Sequence, residues 1–247
     1  MPLDPDLVSQ IAPTGTLRAT INLGNPVLTS GTPDEPGGVT VAIAREIASR
    51  LAVPLELICV DAARKSFAAL SEGRADLTFL AIEPARETEV RFSRPYLTIE
   101  GVYVTESDTP YRDAHEVDRP GVRIGVKQGS AYELYLTRTL SAAEVVRGTD
   151  GIDAYLTEDL DVAAGIRQPM SAFVANSDSH RLLEPAFMQI QQSVGLPRAR
   201  SDRAASYVDD VVRDLLKTGF IRTQLEAAGQ DPGLANDNSA EPGSPRP

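Results

Sequence analysis

Short β-forming runs alternate with amphipathic helical stretches along most of this 247-residue chain, and that alternation restricts the fold more than any single motif. Leu17 to Leu23 reads as a strand entering the loop Gly24-Asn25-Pro26. A Gly/Pro-rich turn, Gly31 to Gly38, leads into a helix over Val39 to Leu51, with Ile43, Ile47 and Leu51 on one stripe and Arg45, Glu46 and Arg50 opposite. A strand over Leu55 to Val60, a short helix over Ser66 to Ser71 stopped by Gly73, and a strand over Asp76 to Leu80 complete a first set. Strands that alternate with helices imply parallel βαβ units.

Gly101 to Thr105 is a further β-run, followed by a polar stretch from Glu106 to Pro120. A second α/β set opens at Val122 to Val126, breaks at Lys127-Gln128-Gly129-Ser130, and continues as a helix over Ala131 to Leu140. Phe187 to Gln191 is a β-run placed to return the chain to the first set. The helix over Asp202 to Leu216 is strongly amphipathic, closed by Lys217 and Gly219, and a shorter helix ends near Gly229. The expected organisation is α/β with two Rossmann-like lobes. Lobe 1 takes residues 14–103 and 192–229, and lobe 2 takes 104–191. A lead of 1–13 precedes them, and a Pro-, Gly-, Asn- and Ser-rich tail, 230–247, is expected to be disordered.

Thr78 to Tyr96 carries the most chemistry. Its β-run ends in Ile82-Glu83-Pro84-Ala85-Arg86, where Pro84 suits the first turn of a helix. An Arg beside a helix N-terminus, at the carboxyl end of a strand, is where an α/β sheet presents an anion site. The competing reading is a surface Arg paired with Glu89 or Asp76.

Five markers in order resemble the amino-acid-binding (family 3) branch of the type II periplasmic solute-binding proteins. They are Gly37-Gly38 before the first helix, Glu72-Gly73-x-x-Asp76, Arg86, Phe92-Ser93-x-Pro95-Tyr96, and Gly125-Val126-x-Gln128-Gly129-Ser130. The resemblance covers residues 14 to 229 and implies a periplasmic binding protein-like II fold. Its two lobes close on a ligand about two hinge crossings, which map near Gly101 to Thr105 and Phe187 to Gln191. It also implies that Arg86 holds a ligand carboxylate, met from lobe 2 by the backbone N–H groups of Gly129, Ser130 and Ala131 at a helix start. Lys127 would point from its strand end into the cleft. Its alternative is a solvated strand-end Lys.

Relatives also place an Asp in lobe 2 for the ligand's ammonium group, and two registers compete for it. If Asp153-Ala154 begins the relevant strand, Glu158 is the acid. If Leu160 to Gly165 is that strand, the position falls on Ile166 or Arg167. A parallel neighbour of Val145-Val146-Arg147 needs a crossover of about a dozen residues, which favours the second register. The crossover would then hold a short helix carrying Ile152, Tyr155 and Leu156, and Arg167 would add a cation beside Lys127 and Arg86.

Lobe 1 departs from the pattern as well. Gly24 and Ala62/Ala63 stand where relatives place aromatic clamps, Ala81 replaces a Ser/Thr that helps bind the carboxylate, and Phe79 sits where a small residue is common. Arg64, Asn22 and Asn25 complete the expected ligand-binding set.

The net charge of −11 and pI near 4.7 argue against nucleic acid or an anionic membrane as partner. No apolar run reaches the roughly 18 residues of a membrane span. The single Cys59 reads as a structural thiol, and the two histidines, His115 and His180, lack metal-ligand spacing, so no cofactor or metal is expected. The start, MPLDPDLVSQIAPTG, lacks the basic and apolar regions of a signal peptide. The expectation is cytoplasmic as the sequence stands, and periplasmic if a signal peptide has been removed.

Three functions follow. The first is a monomeric solute-binding protein, for ABC-type uptake through a permease or for sensing, whose ligand is a small organic acid rather than a standard amino acid. The second is an enzyme resembling the cyclohexadienyl dehydratases, with Glu158 or Glu100 as its acid. The third is a sensory or interaction domain that binds no ligand.

Overall fold

The structure is a computed structural model and describes residues 3–236. The lead forms a helix, α1 (Pro5–Ile11), which buries Leu7 and Ile11 and starts from the Asp4 side chain as its cap. Strand β1 (Leu17–Asn22) pairs in parallel with β4 (Leu55–Val60), Leu17 opposite Leu55 and Asn22 opposite Val60. Between them lie a hairpin of two short strands, β2 (Ser30–Gly31) and β3 (Pro36–Gly37), and helix α2 (Val39–Leu51), whose apolar stripe is buried. Gly38 enters α2 at φ +91°, where a Cβ would stand 2.6 Å from the Leu28 carbonyl oxygen. Helix α3 (Ala63–Ser71) begins earlier than the sequence suggested and leads to β5 (Thr78–Ala81).

Asp76, fully buried, fixes this lobe. Arg18 Nε and Nη2 donate to its two carboxylate oxygens, each at 2.9 Å, and Arg200 approaches at 3.5 Å. The Glu72-Gly73-x-x-Asp76 marker is therefore a strand-locking device, and Asp76 is no partner of Arg86.

Two long antiparallel strands form the connection between lobes: β6 (Val90–Glu106) and β10 (His180–Pro197). Both expected crossings lie inside them, with Gly101 opposite Met188 and Thr98 opposite Gln191. The strands run further than the sequence suggested because Phe92 to Tyr96 continues β6. Pro95 is accommodated where the register shifts around Ser193, since a bulge removes the need for its missing N–H.

Between the long strands come β7 (Arg123–Lys127), α4 (Ala131–Thr139), β8 (Glu144–Gly148), α5 (Gly151–Thr157), β9 (Val162–Ile166) and α6 (Arg167–Ala175). Strand β7 pairs in parallel with both β8 and β9, and β9 joins β6, so a sheet ordered β5-β10-β6-β9-β7-β8 runs through both lobes. The crossover from β8 to β9 is α5, so the second register holds and Ile166 ends the strand. Within α5, Tyr155 is buried, but Leu156 faces solvent at 54% exposure, against the expected apolar stripe.

The chain returns to lobe 1 as α7 (Asp202–Lys217) and α8 (Phe220–Ala227). The expected disorder from residue 230 is corrected up to Asn236. A 3₁₀ turn at Pro232–Leu234 is followed by a bridge from Ala235 to Leu97, and Asn236 donates its backbone N–H to the Tyr96 carbonyl at 3.1 Å. Carbonyl acceptors on the edge of β6, at Tyr96 and Pro95, hold this segment. Residues 237–247 lie outside the described residues. Among the described residues no helix is long and apolar enough to cross a membrane, and no group of His, Cys, Asp and Glu could hold a metal ion.

Candidate ligand-binding cleft

The carboxyl ends of β1, β5, β7, β8 and β9 converge on one cavity of about 270 Å³, near the lower end of the range common for small-molecule sites. Both lobes line it. Arg86, Lys127, Ser130, Ala131, Asn22, Asn25, Phe79 and Ala81 are all on its wall.

Arg86 is not at a helix start, as Pro84 had suggested. Ile82 to Glu89 is a series of turns, because the Val90 N–H returns to the Arg86 carbonyl at 2.9 Å and β6 begins there. The turn buries the Arg86 side chain, 3% exposed. Its Nη1 donates to the Ala81 carbonyl at 3.1 Å, and its Nη2 donates across the cleft to the Gly129 carbonyl at 3.0 Å. Burial pulls its pKa down to about 10, while the charges of Glu83 and Glu133 act in the opposite direction, so it is a cation throughout the neutral range. Among the described residues it forms no ion pair.

Two buried carboxylates flank it. Glu83, 1% exposed, accepts from Arg138 of the other lobe at 2.6 Å. Glu133, 4% exposed, accepts from Arg147 at 2.9 Å, from Thr137 at 2.9 Å and from the Gly129 N–H at 3.1 Å. Ser130 caps α4 through its hydroxyl, which accepts from the Glu133 N–H at 3.0 Å. Ser130 and Glu133 thus form a capping pair that leaves the first N–H groups of the helix, at Ala131 and Tyr132, without intrahelical partners. Both residues line the cavity, and Tyr132 is buried enough to push its phenol pKa up.

Gly129 itself does not line the cavity. At φ +73° it presses against the Arg64 stem, whose Cβ would lie 2.6 Å from a Cβ at residue 129. Arg64 therefore serves as a lobe contact rather than as part of the cavity wall, and its neighbour Ala63 takes the wall position. Lys127 Nζ reaches lobe 1, donating to the Asp61 carbonyl at 3.2 Å and lying 3.5 Å from the Gly24 carbonyl. A Cβ at Gly24 would stand 2.0 Å from the Asp61 oxygen and 2.8 Å from Lys127 Nζ, so the backbone and Lys127 fill the space beside Gly24.

Arg167 departs from its expected role. It begins α6 directly after Ile166, but its guanidinium turns to the hinge, pairing with Glu100 of β6, and with Glu184 of β10 at 2.6 and 2.8 Å. The Glu184 bonds raise its pKa and hold Glu184 below the usual carboxylate range. It contributes no free charge to the cavity, whose wall at this point is Ile166, Pro169 and Met170. The dehydratase acids lie elsewhere too. Glu100 is held by Arg167 and Gln189, and Glu158 is half exposed at the end of α5, 3.6 Å from Arg123. Neither lines the cavity.

The sequence reading missed Asp150, Gln128, Gln192, Tyr132 and Ile152 on the wall. Thr149-Asp150-Gly151, a cap sequence directly after a strand, was a usable signal for Asp150, since strand ends face the cleft in such sheets.

A family model described as bacterial extracellular solute-binding proteins, family 3, matches residues 19–227. The virulence sensor protein BvgS of Bordetella pertussis is 32% identical over 141 residues, 56% of this chain and 11% of that protein, so the chain spans about a tenth of this relative's length. Among solved structures, a mutant of ArgBP from T. maritima superimposes with a TM-score of 0.73 at 22% identity, covering 90% of this chain and 99% of the other. The periplasmic VFT2 domain of Bordetella pertussis BvgS gives 0.70 at 22%, covering 92% and 99%. The ancestral amino acid-binding protein AncCDT-1, a precursor of cyclohexadienyl dehydratase, gives 0.70 at 19%, covering 89% and 98%. With two lobes, two hinge strands and a match over residues 19–227, the chain belongs to the family 3 bacterial extracellular solute-binding proteins.

Proposed function

We propose that this protein clamps a small carboxylate-bearing molecule between its lobes, an organic acid rather than a standard amino acid, for ABC-type uptake or for sensing. The observation that carries the reading is Arg86. It is a buried cation on the cavity wall whose hydrogen bonds go to neutral carbonyls only. A buried guanidinium is offset best by a carboxylate, which it binds in two parallel bonds. The unpartnered N–H groups at the start of α4 and the Lys127 ammonium face the same space and favour the same charge.

The preference against α-amino acids rests on Ile166. An α-ammonium group beside this apolar strand end loses a charge-assisted partner, at a desolvation cost of several kcal/mol. The relation to a sensor protein supports sensing, and the family supports delivery to a permease. Thermal-shift screening of carboxylates against the matching α-amino acids tests the reading, because a ligand that binds only the folded state raises Tm. Organic acids should stabilise more than their α-amino counterparts. Stabilisation by amino acids alone refutes the organic-acid assignment.

A further inference from the structure

Three neighbouring strand ends, β9, β7 and β8, form the lobe 2 side of the cavity in that order across the sheet. The β9 end is apolar, at Ile166. The β7 end carries Lys127, Ser130 and the start of α4, the carboxylate side. The β8 end carries Asp150, the one carboxylate among the described lining residues. Lys127 pairs with Gly148 at the end of the β7–β8 ladder, and Asp150 follows two residues beyond that pair, as the cap of α5. It lies on the β8 side of the carboxylate subsite.

Asp150 is incompletely used by the fold. Its Oδ1 accepts from the N–H groups of Ile152 at 2.9 Å and Asp153 at 3.4 Å, capping α5. Among the described residues Oδ2 has no hydrogen-bond partner, and Asp150 forms no ion pair with Arg86, Lys127 or any other cation. The cavity wall therefore combines the cations Arg86 and Lys127, the carboxylate of Asp150, and apolar groups that include Phe79, Ile152 and Met170.

We propose that Asp150 is a specificity-determining residue that receives a cationic or donor group carried away from the ligand's carboxylate, so that the ligand class is an ω-amino or ω-guanidino carboxylate. The inference rests on the carboxylate reading of Arg86 and deepens it. The acid stands on the β8 side of the carboxylate subsite, while the β9 side offers Ile166 to an α-substituent. A simple alkanoate leaves Asp150 facing the apolar wall without a partner, and an ω-ammonium supplies one through a charge-assisted bond.

The probes are pentanoate, its ω-amino derivative and its α-amino derivative, with ω-amino acids of shorter and longer chain, tested on the full chain by thermal shift and calorimetry. The ω-amino derivative at its best length should bind at least about tenfold more tightly than the unsubstituted acid, the scale of one charged hydrogen bond. Asp150→Asn retains a good helix cap, so folding is preserved. It should erase that tenfold advantage without weakening pentanoate, because it removes an anion from the wall that a carboxylate ligand faces. Equal binding of pentanoate and its ω-amino derivative, or an advantage that survives in Asp150→Asn, overturns the role of Asp150 and leaves the carboxylate reading standing. Stronger binding of the α-amino derivative overturns it as well. Failure of every carboxylate to bind overturns both.

Discussion

Arg138 of the second lobe donates to Glu83 of the first at 2.6 Å, and neither residue lines the ligand cavity. With the Arg86–Gly129 bond, the Lys127 contacts and the Arg64–Gly129 packing, this pair holds the lobes together outside the ligand's own contacts. Glu83 is buried, so removing its partner leaves a carboxylate with the Ala85 N–H as its remaining donor. Arg138→Met should cost about 1–3 kcal/mol in urea unfolding, less than a fully buried pair because Arg138 is half exposed. It should also raise the radius of gyration in small-angle scattering by opening the cleft. An unchanged scattering profile would show that the pair does not set the closed shape.

Gly129 is a point of close approach between the lobes, against the Arg64 stem. Its φ of +73° and the short distance to the Arg64 stem both oppose a side chain. Gly129→Ala should weaken the closed form by about 1–2 kcal/mol from backbone strain alone. Arg64→Ala should recover part of any further loss, which a double-mutant cycle resolves. A cycle with no coupling would place Arg64 away from Gly129 in solution.

The loop from α4 to β8 is held by one acid. Asp118 accepts from the N–H groups of Ser141, Ala142 and Ala143, at 2.9, 2.7 and 2.9 Å, and these bonds lower its pKa. A carboxylate with a depressed folded-state pKa contributes stability above its unfolded value, and that stability is lost as pH falls through the folded one. Hydrogen exchange at residues 141–143 should therefore stay protected at neutral pH. Protection should fall in the acid range below the unperturbed Asp value of 3.8, while Asp118→Asn should be less protected at every pH above it. Equal protection in the variant at neutral pH removes the role assigned to Asp118.

The strand–helix alternation made the two lobes legible because each strand and helix announces itself by local periodicity. Crossover length was enough to choose between the two registers of β9. The cavity was legible where a residue sits at a strand end, as with Arg86, Lys127 and Ser130, since the sheet sends those ends to the cleft. Arg167 is also at a strand end, but its direction is decided by Glu100 and Glu184. Those two acids are 67 and 17 residues away in sequence, and the pairing of β6 with both β9 and β10 brings them to it. Asp150 was overlooked because a single Asp before Gly reads as a turn residue, and its second role depends on which strand lies beside β7. The turn at Arg86 likewise depends on where β6 begins, which a Pro-containing segment conceals.

The central claim is that Arg86 and the start of α4 share one carboxylate, and titration calorimetry on wild type and Arg86→Met tests it most directly. The titrant is whichever carboxylate probe gives the largest thermal shift, with circular dichroism confirming the fold of the variant. The account predicts a loss of about 2–4 kcal/mol in binding free energy, the scale for removing a buried charge partner. An affinity unchanged by the substitution would contradict it.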